Sequence, residues 1–158
     1  MNTMSLNQCL NSTDRYKLFV YHCQPEELHS RILAFQESGL NPLNIGIELS
    51  HFISELNDFK FITIDVLDYL KLIYENNIQT INGALNPAIV VYNLGILMEP
   101  FLELNTVQLL KDWSKTCTVI ILWENQTDIP FKLYWSTQSN IFNLDFSDTP
   151  YKMVQHEI

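Results

Sequence analysis

Two uninterrupted apolar runs, Ala88-Ile89-Val90-Val91-Tyr92 and Thr118-Val119-Ile120-Ile121-Leu122-Trp123, constrain this chain more than any other feature. A strand with one wet face alternates apolar and polar residues. A strand with no polar position must be covered on both faces, as in a parallel sheet between layers of helix. Helical spacing accompanies the runs: Leu28, Ile32 and Phe35 share one face, as do Leu49, Phe52, Ile53 and Leu56, then Val66, Leu70 and Ile73, then Val107, Leu110 and Trp113. Strands alternating with such helices predict an α/β fold, with a mainly parallel sheet of about five strands flanked by helices.

The pattern predicts a first strand over Lys17–His22 and a helix running to Ser38, stopped by Gly39. A second strand is expected over Leu43–Ile47, a helix over Glu48–Leu56, an extended connector over Phe59–Ile64, and a further helix capped by Asp65. Asn105 or Thr106 caps the helix that reaches Trp113. Lys132–Ser136 is a last, weaker strand. The link to it from Trp123 is too short for a parallel crossover, so it is antiparallel or lies outside the main sheet. Residues 1–14 are expected to be a polar arm, loose or forming a short helix. Residues 15–137 make the α/β domain and 138–158 an irregular tail.

Composition sets the outer bounds. A chain of 158 residues, 47% hydrophobic and 12% aromatic, suits one domain with a packed core rather than a disordered polymer. Its formal charge is −9 with only two arginines, Arg15 and Arg31, so it repels phosphate backbones and is not expected to bind nucleic acid directly. Cys9, Cys23 and Cys117 are widely spaced and form neither a disulfide framework nor a zinc signature. The first residues lack the basic and apolar regions of a signal peptide. The most apolar stretch, Ala88 to Met98, is short and broken by Asn93 and Gly95. These features predict a soluble cytoplasmic protein with reduced thiols and no membrane contact.

The segment Cys23-Gln24-Pro25-Glu26-Glu27-Leu28-His29-Ser30 lies between the first strand and its helix, where a P-loop would lie. The pattern G-x-x-x-x-G-K-[ST] would put glycines at Cys23 and Leu28, lysine at His29 and a hydroxyl at Ser30; only Ser30 agrees. Side chains at Cys23 and Leu28 obstruct the close approach of backbone to phosphate. His29 is mostly neutral at pH 7, and Glu26 and Glu27 set negative charge in the anion seat. An ordinary strand–helix connection with an acidic first turn has the same appearance. The third strand of a P-loop protein ends in a carboxylate that organises Mg²⁺. Here it ends Tyr92-Asn93, and Glu99 is the first carboxylate downstream.

Tyr16-Lys17-Leu18-Phe19-Val20, the stretch NIGIELS from Asn44 to Ser50, VVYNLGIL from Val90 to Leu97, and Leu109-Leu110-Lys111-Asp112-Trp113-Ser114 resemble successive landmarks of the BrxF-type small P-loop proteins of BREX phage-defence systems. The resemblance runs from about Tyr16 to Ser136 in order and spacing of the blocks. It implies a P-loop fold and an antiviral setting. The family's glycine-rich loop, its Asp-Asn pair after the third strand and its arginine-containing segment before the fourth are replaced by Cys23–Ser30, Tyr92-Asn93 and Ser114-Lys115-Thr116-Cys117. The fourth strand ends Trp123-Glu124-Asn125 where the family tends to have Trp-Asn-Gly. The ATPase activity is therefore not carried over. The expectation is a pseudo-NTPase without catalytic, cofactor or metal residues, working by contact with other defence proteins or with itself. A nucleotide-binding switch or weak ATPase with an atypical loop, and an unrelated α/β interaction module, are the alternatives.

The remaining chemistry is sparse. His22, His29, His51 and His156 are scattered, and the Cys23–His22 pair has no third residue placed to orient a base. No ligand-pair spacing suggests a metal. Trp113, Trp123 and Trp135 lack the basic groove of a base-stacking platform and are expected in the core or at an interface, with Tyr134-Trp135 favouring a protein contact.

Overall fold

The computed structural model describes residues 3–155. In chain order they form β1 (Thr3–Met4), α1 (Leu6–Leu10), β2 (Leu18–His22), α2 (Leu28–Glu37), β3 (Leu43–Asn44), α3 (Ile45–Ser54), α4 (Ile62–Asn77), β4 (Ala88–Tyr92), α5 (Thr106–Thr116), β5 (Thr118–Trp123), β6 (Thr127–Asp128), β7 (Lys132–Ser136), β8 (Ile141–Asp145) and β9 (Lys152–Val154). Six strands make a parallel sheet in the order β1-β9-β2-β5-β4-β3, and β6-β7-β8 make a separate antiparallel sheet. The α/β class with a parallel sheet flanked by helices is as the sequence predicts.

The apolar runs explain the layering. Along β2, Leu18 and Val20 face one way and Phe19 and Tyr21 the other, and β4 and β5 divide in the same alternation. One face packs against α3, α4, α5 and the antiparallel sheet, through Leu49, Val66, Leu70, Leu110, Trp113 and Leu133. The other face packs against α1 and α2, through Cys9, Leu10 and Phe35. Because both faces are covered, β5 is buried at every residue.

Several element bounds differ from the sequence reading. The second strand stops at Asn44, since the Asn44 side chain accepts from the Ile47 amide at 3.0 Å and so starts α3 at once. The expected connector over Phe59–Ile64 is partly helical. Ile62 is buried with Val66, Leu70 and Ile73, and this face draws α4 back to Ile62, ahead of the cap expected at Asp65. Helix α5 starts at Thr106 under the Asn105 cap (Gln108 amide at 3.1 Å) and continues past Trp113 to Thr116. The strand at Lys132–Ser136 is both antiparallel and outside the main sheet.

The tail departs furthest from expectation, while the arm takes the short-helix form of the two expected: Ser5 and Gln8 form a capping box on α1, Cys9 and Leu10 are buried, and Thr3–Met4 also pairs with β9. The tail is not irregular. It supplies β8 and then β9, which lies in the main sheet between β1 and β2. Phe146, Tyr151, Met153 and Val154 are all buried. No helix among the described residues is long and apolar enough to cross a membrane.

Candidate functional site

In an open parallel sheet a ligand crevice forms at the carboxyl ends of the strands, where neighbouring strands send their connections to opposite faces. That place lies between β2 and β5. After β2 the chain turns to the α2 face; after β5 it enters the antiparallel sheet on the other face. The two loops are tied together, with the Cys23 amide donating to Trp123 O at 3.1 Å and His22 Nε2 lying 2.8 Å from Asn125 O. The end of β4, with Tyr92 and Asn93, belongs to the same pole because β4 is parallel to β5 and adjacent to it.

The segment from Cys23 to Ser30 is a tight turn that satisfies itself. Gln24 stays extended, and Pro25–Glu27 form a turn of 3-10 helix leading into α2. The Glu27 carboxylate reaches back to accept from the Gln24 amide at 2.9 Å, and its second oxygen lies 3.2 Å from the Arg31 guanidinium. An acidic side chain of the protein thus occupies the start of the helix, where the backbone amides would otherwise face an incoming anion. The sequence suggests for Glu27 repulsion of a phosphate and a fit to the helix dipole, but not this bond to the Gln24 amide. Glu27 stands three residues after Gln24, the spacing at which a carboxylate can reach back to the N-cap amide.

The P-loop positions are otherwise dispersed. Cys23 is buried with the α2-side core, and Leu28 packs at its margin. His29 is exposed, and Ser30, also exposed, donates its hydroxyl to Glu27 O at 2.8 Å. Burial, reinforced by Glu27 and Glu124, pushes the Cys23 thiol up to about 11. As neighbours on a strand end, Cys23 and His22 project to opposite sides, so they make no nucleophile–base pair. His51 lies 3.3 Å from Glu55, and His156 is outside the described residues. No group of His, Cys, Asp or Glu that could hold a metal ion occurs among the described residues.

Burial likewise raises the Cys9 thiol to about 12 and the Cys117 thiol above its ordinary range. At pH 8 a thiol with a pKa near 11 is ionised in roughly one molecule in a thousand. The folded protein is therefore expected to resist iodoacetamide, while all three cysteines react in denaturant. Mass spectrometry showing rapid native labelling of Cys23 would contradict its placement.

At the end of β4, where a P-loop protein would carry an Mg²⁺-organising carboxylate, Asn93 has a structural use. Asn93 takes a left-handed backbone (φ 58°). It donates from Nδ2 to Asn44 Oδ1 at 2.8 Å, the same oxygen that caps α3. Gly46 makes this possible: a Cβ built there would overlap the Asn93 amide and lie 2.9 Å from Asn93 O. Gly95 leaves similar room for the Trp135 ring. Tyr92 is half-buried beside the α2-side core.

The tryptophans are packing residues. Trp113 stacks on Tyr74 with centroids 4.7 Å apart, and buried Trp123 donates to Gln126 O at 3.1 Å. Tyr134 and Trp135 are half-buried rather than prominent on the surface. Comparison with protein-family models, with curated proteins and with solved structures finds no match to this chain.

Proposed function

We propose that the protein is a non-catalytic P-loop-type component of an antiviral defence assembly, cytoplasmic, and acting through protein–protein association. The antiviral setting rests on the BrxF-type blocks. The P-loop reading is supported by the strand–turn–helix at β2 and by a sheet order that brings this turn and the Tyr92-Asn93 end to one pole. A P-loop site makes the same demand of its two motifs. The observation that carries the loss of nucleotide binding is the Glu27 carboxylate seated on the Gln24 amide and paired with Arg31. A phosphate there would have to displace a bonded anion, without a lysine at His29 and without glycines at Cys23 and Leu28.

Each missing charged contact is worth roughly 1.5–3 kcal/mol. Calorimetric titration with ATP and Mg²⁺, or with GTP, is therefore expected to show no saturable heat at physiological nucleotide concentration. A micromolar dissociation constant would overturn this reading and establish the nucleotide-binding switch in its place.

A further inference from the structure

The antiparallel sheet ends on β8, whose outer edge pairs with no strand among the described residues. Phe146 N donates to Phe131 O (2.6 Å) and Thr137 N to Asn140 O (2.8 Å) at the two ends of the β7–β8 ladder. Leu133 lies opposite Leu144, and Trp135 opposite Phe142. Hydrogen-bonded pairs in such a ladder fall on every second residue. Ile141, Asn143 and Asp145 therefore direct their N–H and C=O groups away from β7. On the far side of β7 the same alternation holds, with Tyr134 N donating to Gln126 O at 2.9 Å.

That edge borders a cleft of about 590 Å³, whose other wall is the segment 97–107. Ile141, Phe142, Asn143 and Leu144 all line it. Successive strand residues point to opposite faces, so a cleft touched by four in a row lies along the strand edge. Edge strands of soluble proteins are commonly blunted by lysine, proline or a bulge. β8 contains no lysine or proline, pairs through all five residues, and exposes 73% of Ile141. Across the cleft stand Glu99 and Glu103, neither with an ion-pair partner among the described residues.

We infer that this cleft receives an extended, basic peptide segment of a protein partner, which adds to β8 as a fourth antiparallel-sheet strand and sets a lysine or arginine against Glu99 and Glu103. Main-chain bonds to Ile141, Asn143 and Asp145 supply the affinity, and the carboxylates select the charge. A second copy of this chain is a poorer occupant, because pairing β8 with itself would bring two sets of the same carboxylates to one seam. The inference gives a surface and a chemistry to the association reading above. Its test is separate, since the nucleotide titration interrogates the start of α2 and this one interrogates β8.

The probe is a displayed library of short random peptides selected against the full chain. Enriched peptides are expected to carry Lys or Arg and to slow hydrogen exchange at the Ile141, Asn143 and Asp145 amides. They should bind about tenfold more weakly to Asn143→Pro, which removes one outward amide and no ladder bond. Should that variant fail to fold, N-methylating the peptide at alternate residues must produce a comparable loss with the unaltered protein. No enrichment, enrichment of acidic peptides, unchanged exchange at those three amides, or tolerance of N-methylation would each overturn the inference.

Discussion

A chain ended at Thr137 is expected to lose its cooperative fold. The cut falls at the boundary that the sequence draws between domain and tail, and it removes β8 and β9 together. Leu144, Phe146, Tyr151, Met153 and Val154 are all buried. Burying each is worth roughly 1.5–3 kcal/mol, so the set contributes about 8–15 kcal/mol. That matches the whole stability of an ordinary domain, about 5–15 kcal/mol. The loss extends beyond area. Tyr151 donates to Lys132 O at 2.9 Å and meets Phe146 edge-on with centroids 5.8 Å apart, so the tail also holds the antiparallel sheet in place. Without β9, β1 has no partner and β2 becomes an exposed edge. Circular dichroism melts compare the two chains. A sharp transition in the shortened chain, within a few degrees of the full one, would contradict the position of β9.

The second large effect is expected at the glycines beneath the family-like blocks. Gly46→Ala sets a methyl against the Asn93 side chain and its carbonyl, and Gly95→Ala sets one against the Trp135 ring. Overpacking of this kind costs about 1–3 kcal/mol. In a chain of this size the melting midpoint should fall by roughly 3–10 °C for each variant. The Gly46 effect has an internal control. Asn93→Gly removes the obstructing amide and keeps a residue at ease with positive φ, so the double variant should recover part of the Gly46→Ala loss. It should not recover all of it, because Asn93 O remains 2.9 Å from the added carbon. Strict additivity of the two substitutions would mean that they do not touch.

What the sequence displays well is what covers both faces of a strand. β4 and β5 are legible because every position is apolar, and a residue buried from both sides leaves that signature without reference to its partners. β9 has no such signature. Lys152-Met153-Val154 is short, and it is a sheet strand only because β1 and β2, at the opposite end of the chain, stand on either side of it. The same limit applies to the site. Cys23, Leu28, His29 and Ser30 sit on the strand–turn–helix that hydropathy places there, so the local frame is readable. The bond from Asn93 to Asn44 joins residues far apart in sequence, and no local pattern announces it. Glu27 is the intermediate case: its spacing from Gln24 spells a cap, while its pairing with Arg31 depends on the helix turn that the cap itself begins.

The interleaving of the two chain ends fixes an order of events during synthesis. Among the described residues, Thr3 and Met4 pair only with Met153 and Val154. At about 5–20 residues per second, the first strand waits on the order of ten seconds or more for the strand that receives it. Until then β2, already flanked by β5, offers an open flank to any extended chain nearby. Closing that flank falls to β9, and β1, translated long before it, takes its place in the sheet only once β9 has arrived.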